Sequence, residues 1–219
     1  MRRLLLVLCV ALSGCAVGLP RLIARSEKRV VLISEVQRDQ NNNVVVKRAR
    51  GGGVVVSSRG AIITCLHVVY GNRNVMADWL SGTQHLYKVG AIDAANDLAL
   101  LIPWDNMGWV PYALVAPGVT KGEAVYHIGH PLRQKWLATA GIVSLVERDV
   151  IVADAAANPG SSGGGVFNHK GELIGIVHRG RSLFIPVFQG HTEATRPDVI
   201  ERFLRINRNI LFEDGPTVE

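Results

Sequence analysis

From residue 30 onward, the chain alternates between short runs rich in Val, Ile and Leu and turns rich in Gly, Asn and Ser. Runs of about four to eight such residues, bounded by turn residues, are typical of β-strands. The pattern predicts strands at residues 30–34, 44–47, 53–57, 61–64, 75–79, 86–92, 98–102, 124–128, 137–146, 150–153, 165–167, 173–177 and 183–186. Many short strands at this spacing indicate an all-β barrel or sandwich.

Two features interrupt the strand pattern. Residues 111–118 contain two prolines and a glycine, which predicts a boundary between two halves at residues 30–115 and 118–190. Near the end, Pro197 and Asp198 follow a capping residue and are typical of a helix start. The apolar residues that follow share one helical face and predict a helix over residues 197–209, packed on the second half: Val199, Ile200, Phe203, Leu204 and Ile206.

Composition narrows the class of protein. The 219 residues are 48% hydrophobic and carry a net charge of +6, and the basic residues are scattered rather than run together. The apolar content excludes a disordered chain, and no fixed repeat or heptad indicates collagen or a coiled coil. A basic balance without a nucleic-acid-binding motif is weak evidence for such binding, so we expect no nucleic-acid partner.

The first fifteen residues have the composition of an export leader. A basic start is followed by an apolar run from Leu4 to Leu12 that is too short to span a bilayer. The sequence Leu-Ser-Gly-Cys ending at Cys15 resembles the lipobox of bacterial lipoproteins, in which the cysteine is lipidated. The alternative is an ordinary signal peptide, for which Cys15 is incidental. We expect a periplasmic or outer-membrane-anchored protein, or else a secreted one, with residues 16–29 as a tether.

Cysteine usage is simple in the rest of the chain. Cys9 and Cys15 lie in the leader, which leaves Cys65 as the one cysteine of the folded part. This excludes an internal disulfide there. One thiol forms a zinc site only with help from histidine or carboxylate groups, and the other histidines show no ligand spacing, so we expect no metal site.

Three segments carry candidate chemistry. Residues 158–164 read Asn-Pro-Gly-Ser-Ser-Gly-Gly, and such a turn can expose a serine hydroxyl and aim successive backbone N–H groups into one concavity that stabilises an oxyanion. The apolar run 60–64 leads into His67, a candidate base, and Asp97 precedes the apolar run 98–102, where it can orient the histidine. Each segment alone also fits a structural role, as a hairpin loop, a buried histidine or a turn aspartate.

Taken together, the three segments resemble the trypsin-like (chymotrypsin-fold) serine proteases, and in particular the bacterial HtrA-like branch. The resemblance extends from about Arg50 to Pro186. Further matching segments are found at residues 51–55, Asp93, 121–125, 128–131, 141–144 and 184–186. The resemblance implies two packed six-stranded antiparallel β-barrels with a C-terminal α-helix.

The resemblance also implies roles for individual residues. His67 becomes the general base, Asp97 the residue that orients it and Ser162 the nucleophile, with the backbone amides of Gly160 and Ser162 as the oxyanion hole. The implied reaction is hydrolysis of peptide bonds in protein or peptide substrates through an acyl-enzyme, without a metal or organic cofactor. The primary specificity pocket falls on Ala156, Val177, His178, Arg179 and Phe184.

An alanine at the base of that pocket favours cleavage after small or medium apolar residues. Ser161, where the family usually has asparagine, and Cys65, two residues before the base, depart from the family pattern without removing a catalytic group. We also expect no PDZ domain, because little sequence follows the predicted helix.

Three other functions compete with the protease interpretation. If one of the three triad residues were missing, the sequence would favour a catalytically silent trypsin-fold binding module, but all three are present. A nucleic-acid binder is favoured by aromatic residues within basic stripes, which the chain lacks. An esterase usually carries its serine on a strand–turn–helix elbow, which this strand-rich pattern does not predict.

Overall fold

Two closed antiparallel barrels of six strands each organise the part of the chain that the computed structural model describes, residues 18–178 and 190–212. The strands of the first barrel are β1 Val30–Arg38, β2 Val44–Val55, β3 Ile62–Cys65, β4 Asn74–Asp78, β5 Gln84–Asp93 and β6 Leu98–Pro103. The strands of the second barrel are β7 Ala124–Gly129, β8 Leu137–Val146, β9 Val150–Ala153, β10 Gly165–Asn168, β11 Leu173–Val177 and β12 Thr192–Thr195. The predicted all-β fold of two six-stranded barrels is confirmed.

The first barrel closes in the order β1-β2-β3-β6-β5-β4. Strands β3 and β6 are buried along their whole length, and accordingly both consist mainly of apolar residues. They pair with Ile63 opposite Leu100 and Cys65 opposite Leu98. The residues just after β3 and just before β6 therefore meet at one edge of the barrel.

The second barrel closes in the order β10-β11-β12-β9-β8-β7 around a core of small and β-branched side chains. The larger apolar cluster fills the first barrel and continues onto Tyr126, Ile128 and Phe167 of the second. One apolar cluster thus includes residues of both barrels, and its burial favours their association.

The described residues also form four α-helices: α1 Leu19–Glu27, α2 Leu66–Val69, α3 Pro197–Ile206 and α4 Arg208–Phe212. The predicted C-terminal helix is present as α3, with Pro197 at its start and Val199, Ile200 and Phe203 buried. It ends earlier than predicted, and α4 follows after Asn207. Among the described residues, no helix is long and apolar enough to cross a membrane.

The expected tether differs most from the structure. Residues 19–27 form helix α1, which packs on strands β1 and β7 and buries Leu22 and Ser26. The hydroxyl groups of Ser26 and Tyr126 lie 2.9 Å apart and form a hydrogen bond. Only three of the nine residues in this helix are large and apolar, so the hydrophobic pattern did not predict it.

Two strand predictions are also corrected. Residues 44–47 and 53–57 were expected as separate strands, but β2 runs continuously from Val44 to Val55, and its pairing with β1 shifts register twice. Strand β12 was not predicted, because Thr192–Thr195 contains one alanine and no larger apolar residue. The predicted strand 183–186 lies outside the described residues.

Candidate active site

His67 lies where strand β3 passes into the short helix α2. The strand residues before it are buried and fix the backbone, whereas the His67 side chain is 42% exposed. A rigid backbone that carries an accessible imidazole is what a general base requires.

Asp97 holds the His67 segment through three contacts, one with Leu66 and two with His67 itself. Its backbone has a positive φ of 54°, and its carbonyl accepts the N–H of Leu66 at 2.9 Å. One carboxylate oxygen accepts the His67 backbone N–H at 3.0 Å, and the other lies 2.6 Å from Nδ1. Since a carboxylate only accepts, Nδ1 carries a proton in this contact, and the neutral form of the ring presents its lone pair at Nε2, on the opposite side.

The loop 158–164 is held between the two barrels by backbone hydrogen bonds. Gly52 of the first barrel donates its N–H to the Ser162 carbonyl at 2.7 Å, and Gly163 donates to the Val177 carbonyl of the second at 2.7 Å. The carbonyl of Gly52 in turn accepts the hydroxyl of Thr64, three residues before the candidate base, at 2.7 Å. The serine loop is therefore joined to the segment that carries His67.

Glycines make this approach feasible. A Cβ on Gly51 would lie 2.5 Å from the Ser162 carbonyl oxygen. Gly163 has φ of 82°, and a Cβ there would collide with the Gly52 carbonyl. Larger residues at these positions would push the two barrels apart locally.

The two adjacent serines have different environments. Ser161 is 1% exposed, and its Oγ accepts the N–H of Asn158 at 3.4 Å. Ser162 is partly exposed. Of the two hydroxyls, that of Ser162 is the one accessible to a substrate.

Two backbone amides of this loop remain available. Among the described residues, no group accepts a hydrogen bond from the N–H of Gly160 or of Ser162. Gly160 has φ of 103°, a conformation that favours glycine. Unused N–H groups at alternate positions of one turn are the donors that a tetrahedral oxyanion needs.

His127 lies directly behind this loop. A Cβ on Gly164 would be 3.1 Å from His127 Nε2, so the ring packs against the loop backbone. The His127 side chain is buried, and neither ring nitrogen has a hydrogen-bond partner among the described residues. Desolvation, followed by repulsion from His130, lowers the pKa of His127 to about 4, so the ring is neutral at neutral pH.

His130 connects the same region to the first barrel. Its Nδ1 accepts the N–H of Trp136 at 3.1 Å, and the Trp136 indole donates to the Val30 carbonyl at 2.8 Å. Burial also lowers the pKa of His130 to about 4. Both histidines therefore have a structural position behind the candidate site rather than in it.

The predicted pocket residues are partly described. Ala156 is partly buried, and its carbonyl accepts the Thr139 hydroxyl at 2.9 Å. Val177 packs inside the second barrel, so it can border a pocket with its backbone only. The His178 side chain is fully buried, with Nε2 4.0 Å from the Glu193 carboxylate. Arg179, Phe184 and the predicted lipidation site Cys15 lie outside the described residues.

Sequence reasoning missed Glu193 and the position of Cys65. Glu193 belongs to the unpredicted strand β12, so nothing in the sequence connected it with His178. The buried thiol of Cys65 donates to the Val177 carbonyl at 3.1 Å and lies beside the His67–Asp97 pair. Because Cys65 lies only two residues before His67, the sequence already indicated that its thiol could lie near the candidate base.

Comparisons with known proteins agree with this geometry. The profile of the trypsin-like peptidase domain matches residues 51–176, and the chain belongs to that family. It is 35% identical to serine protease HTRA1B of Danio rerio over 149 residues, 60% of this chain and 31% of that protein. It is 34% identical to a probable periplasmic serine endoprotease DegP-like of Hahella chejuensis over 135 residues, 55% of this chain and 28% of that protein. The chain thus spans less than a third of these relatives.

A solved structure shares the fold. The HtrA-type protease AlgW with a decapeptide matches with a TM-score of 0.74 and 22% identity, covering 89% of this chain and 68% of that one. At this identity the likeness establishes the two-barrel architecture and leaves individual roles to the geometry.

The buried histidine behind the loop predicts acid sensitivity. The unfolded chain takes up a proton on His127 near pH 6.5, whereas the folded chain does so only near pH 4. The free energy of unfolding should therefore fall as the pH drops from about 6.5 to about 4, by on the order of 3 kcal/mol at most from this residue. Urea unfolding of the wild type and of His127→Leu at several pH values measures the effect. Equal pH slopes in the two proteins would contradict it.

Proposed function

We propose that this member of the trypsin-like peptidase domain family is a serine endopeptidase that hydrolyses peptide bonds in proteins or peptides. The observation that carries the proposal is that hydrogen bonds join two segments with complementary groups. His67 is oriented by Asp97 at 2.6 Å, and the loop with the accessible Ser162 and two unused amides is bonded to the neighbouring strand. These are the parts that acyl transfer to a serine needs.

The proposed reaction follows from the protonation of His67. Nε2 accepts the Ser162 hydroxyl proton while Oγ attacks the scissile carbonyl carbon, and the amides of Gly160 and Ser162 stabilise the oxyanion. The imidazolium then gives that proton to the leaving amine as the C–N bond breaks. Water, deprotonated by the same nitrogen, hydrolyses the acyl-enzyme and regenerates Ser162. Asp97 keeps the ring oriented and stabilises its positive charge.

We also propose small or medium apolar residues as the preferred residue on the acyl side of the cut. Ala156, at the position the resemblance assigns to the pocket base, supplies no charge for a lysine or arginine side chain. A preference set by shape alone is broad, since one methylene changes selectivity by about 1–3 kcal/mol.

The proposed location is outside the cytoplasm. The basic and apolar leader and the periplasmic DegP-like relative support export. A lipid on Cys15 would tether the domain to a membrane, since two acyl chains anchor a protein stably.

The identity of the nucleophile is tested with the two serines as a matched pair. Ser162→Ala should abolish labelling by a fluorophosphonate probe and lower the peptidase rate by on the order of 10⁴–10⁶. Ser161→Ala should keep most of the labelling, because its hydroxyl faces the protein interior. The reverse result would show that Ser161 is the nucleophile and that the oxyanion-hole amides are assigned to the wrong residues. Absence of labelling in the wild type would favour a silent binding module.

The specificity proposal is tested with a positional-scanning peptide library. The wild type should cleave after Val, Ala or Leu, and Ala156→Asp should shift the preference toward Lys and Arg. Dominant cleavage after Arg or Lys by the wild type would contradict the proposal. It would direct attention to Glu193, whose carboxylate lies beside His178.

The lipid anchor is tested by expressing the full chain in a Gram-negative bacterium. The protein should fractionate with the membrane, and Cys15→Ala should release it or block its processing. Cys9→Ala, a change within the apolar leader, is the matched control and should still fractionate with the membrane. Mass spectrometry that finds an unmodified N-terminus in soluble protein would exclude lipidation and leave export intact.

A further inference from the structure

Three potential metal ligands converge beside the candidate base. Cys65 Sγ, a ring nitrogen of His67 and a carboxylate oxygen of Asp97 all lie within 4.8 Å of one another. Strand pairing explains the convergence. Cys65 is opposite Leu98, and the Leu66 amide is bonded to the Asp97 carbonyl, so the end of β3 and the start of β6 bring the three side chains together.

We propose that this cluster is an inhibitory site for a thiophilic divalent cation such as Zn²⁺. One sulfur, one nitrogen and one oxygen are donors that Zn²⁺ accepts, at about 2.3, 2.0–2.1 and 2.0–2.2 Å respectively. Around a tetrahedral cation these bond lengths place the ligand atoms about 3.4–3.6 Å apart. The atoms of this cluster lie within 4.8 Å of one another, so the side chains must close in by about 1 Å or less where they are farthest apart. A water molecule completes the tetrahedron from the exposed side of His67.

Charge balance favours a divalent cation. The Cys65 thiolate and the Asp97 carboxylate together carry two negative charges, and the imidazole is neutral. A divalent cation neutralises these two charges. Uncompensated charge would be costly here because Cys65 is fully buried and the Asp97 side chain is only 16% exposed. The Asp97–His67 separation of 2.6 Å must widen as the cation takes the place of the shared proton.

Binding rearranges two protons. The Cys65 S–H bond breaks, and its proton goes to solvent as the sulfur–metal bond forms. The Nδ1 proton of His67 leaves as that nitrogen binds the cation, and Nε2 takes up a proton from solvent, so one proton is released in all. Nε2 then carries a hydrogen and cannot accept the proton of Ser162. This inhibition rests on the proposed function, whereas cation binding itself does not.

Cation binding is measured without any need for activity. Full-length Ser162→Ala is titrated with Cd²⁺, whose bond to a thiolate gives an ultraviolet charge-transfer absorbance, and Zn²⁺ is then added in competition. We expect one site per chain. Adding the substitution Cys65→Ser or His67→Ala removes a ligand and should weaken cation binding by more than about 100-fold. Loss of a residue that only supports a ligand costs up to about 100-fold.

Matched controls are Cys9→Ser and Cys15→Ser in the unprocessed full chain, where both leader cysteines keep free thiols, and both variants should keep the site. Thermal unfolding checks that Cys65→Ser folds. His67→Ala changes an exposed side chain and tests the site even if the buried variant does not fold. Binding that neither Cys65→Ser nor His67→Ala weakens would overturn the proposal.

Inhibition is measured on the wild type with the fluorophosphonate probe. Labelling should fall as Zn²⁺ occupies the site, return on addition of a chelator, and resist the same Zn²⁺ concentration in Cys65→Ser. Equal loss of labelling in wild type and Cys65→Ser would overturn the inhibitory role. A metal-free wild type that is never labelled would instead refute the proposed function, while the Cd²⁺ titration still decides the site.

Discussion

The candidate site depends on one close approach, the hydrogen bond from the Gly52 amide to the Ser162 carbonyl across the two barrels. Neither barrel contains a complete site, because His67 and Asp97 belong to the first and Ser162 to the second. Packing of apolar side chains brings the barrels together but is not directional. This hydrogen bond is directional and fixes the position of the serine loop relative to β2. Its length of 2.7 Å requires that no side chain intervene, and this explains the run of glycines in β2 opposite the glycines that follow Ser162.

A buried histidine also packs against this loop. The ring of His127 packs against the backbone of the serine loop, and neither of its nitrogens has a partner among the described residues. A neutral imidazole costs less to bury than a charged one, and the lowered pKa reports that cost. The stability of the loop and its response to acid are therefore coupled through one side chain.

Each segment that carries a candidate site residue has its own short sequence pattern, and these segments could be predicted. The apolar run before His67, the aspartate before β6 and the glycines around Ser162 each determine their own backbone environment. What could not be predicted depends on contacts between distant segments. Helix α1 is ordered by docking, β12 lacks large apolar residues, and the burial of Ser161 against Asn158 follows from how the loop turns. Individual roles at the site stay predictions until the variants are measured.

Both halves of the site also share one acceptor. The Val177 carbonyl receives the amide of Gly163 at 2.7 Å and the thiol of Cys65 at 3.1 Å. A carbonyl oxygen has two lone pairs, so it accepts both donors without loss to either. Because Gly163 follows Ser162 and Cys65 precedes His67 by two residues, this carbonyl connects the loop that carries Ser162 with the segment that carries His67. Ionisation of the Cys65 thiol would remove one of the two bonds and place a negative sulfur beside a carbonyl oxygen. A cation that binds the thiolate offsets that repulsion. The same cation separates His67 from Asp97 and so removes the contact that orients the ring.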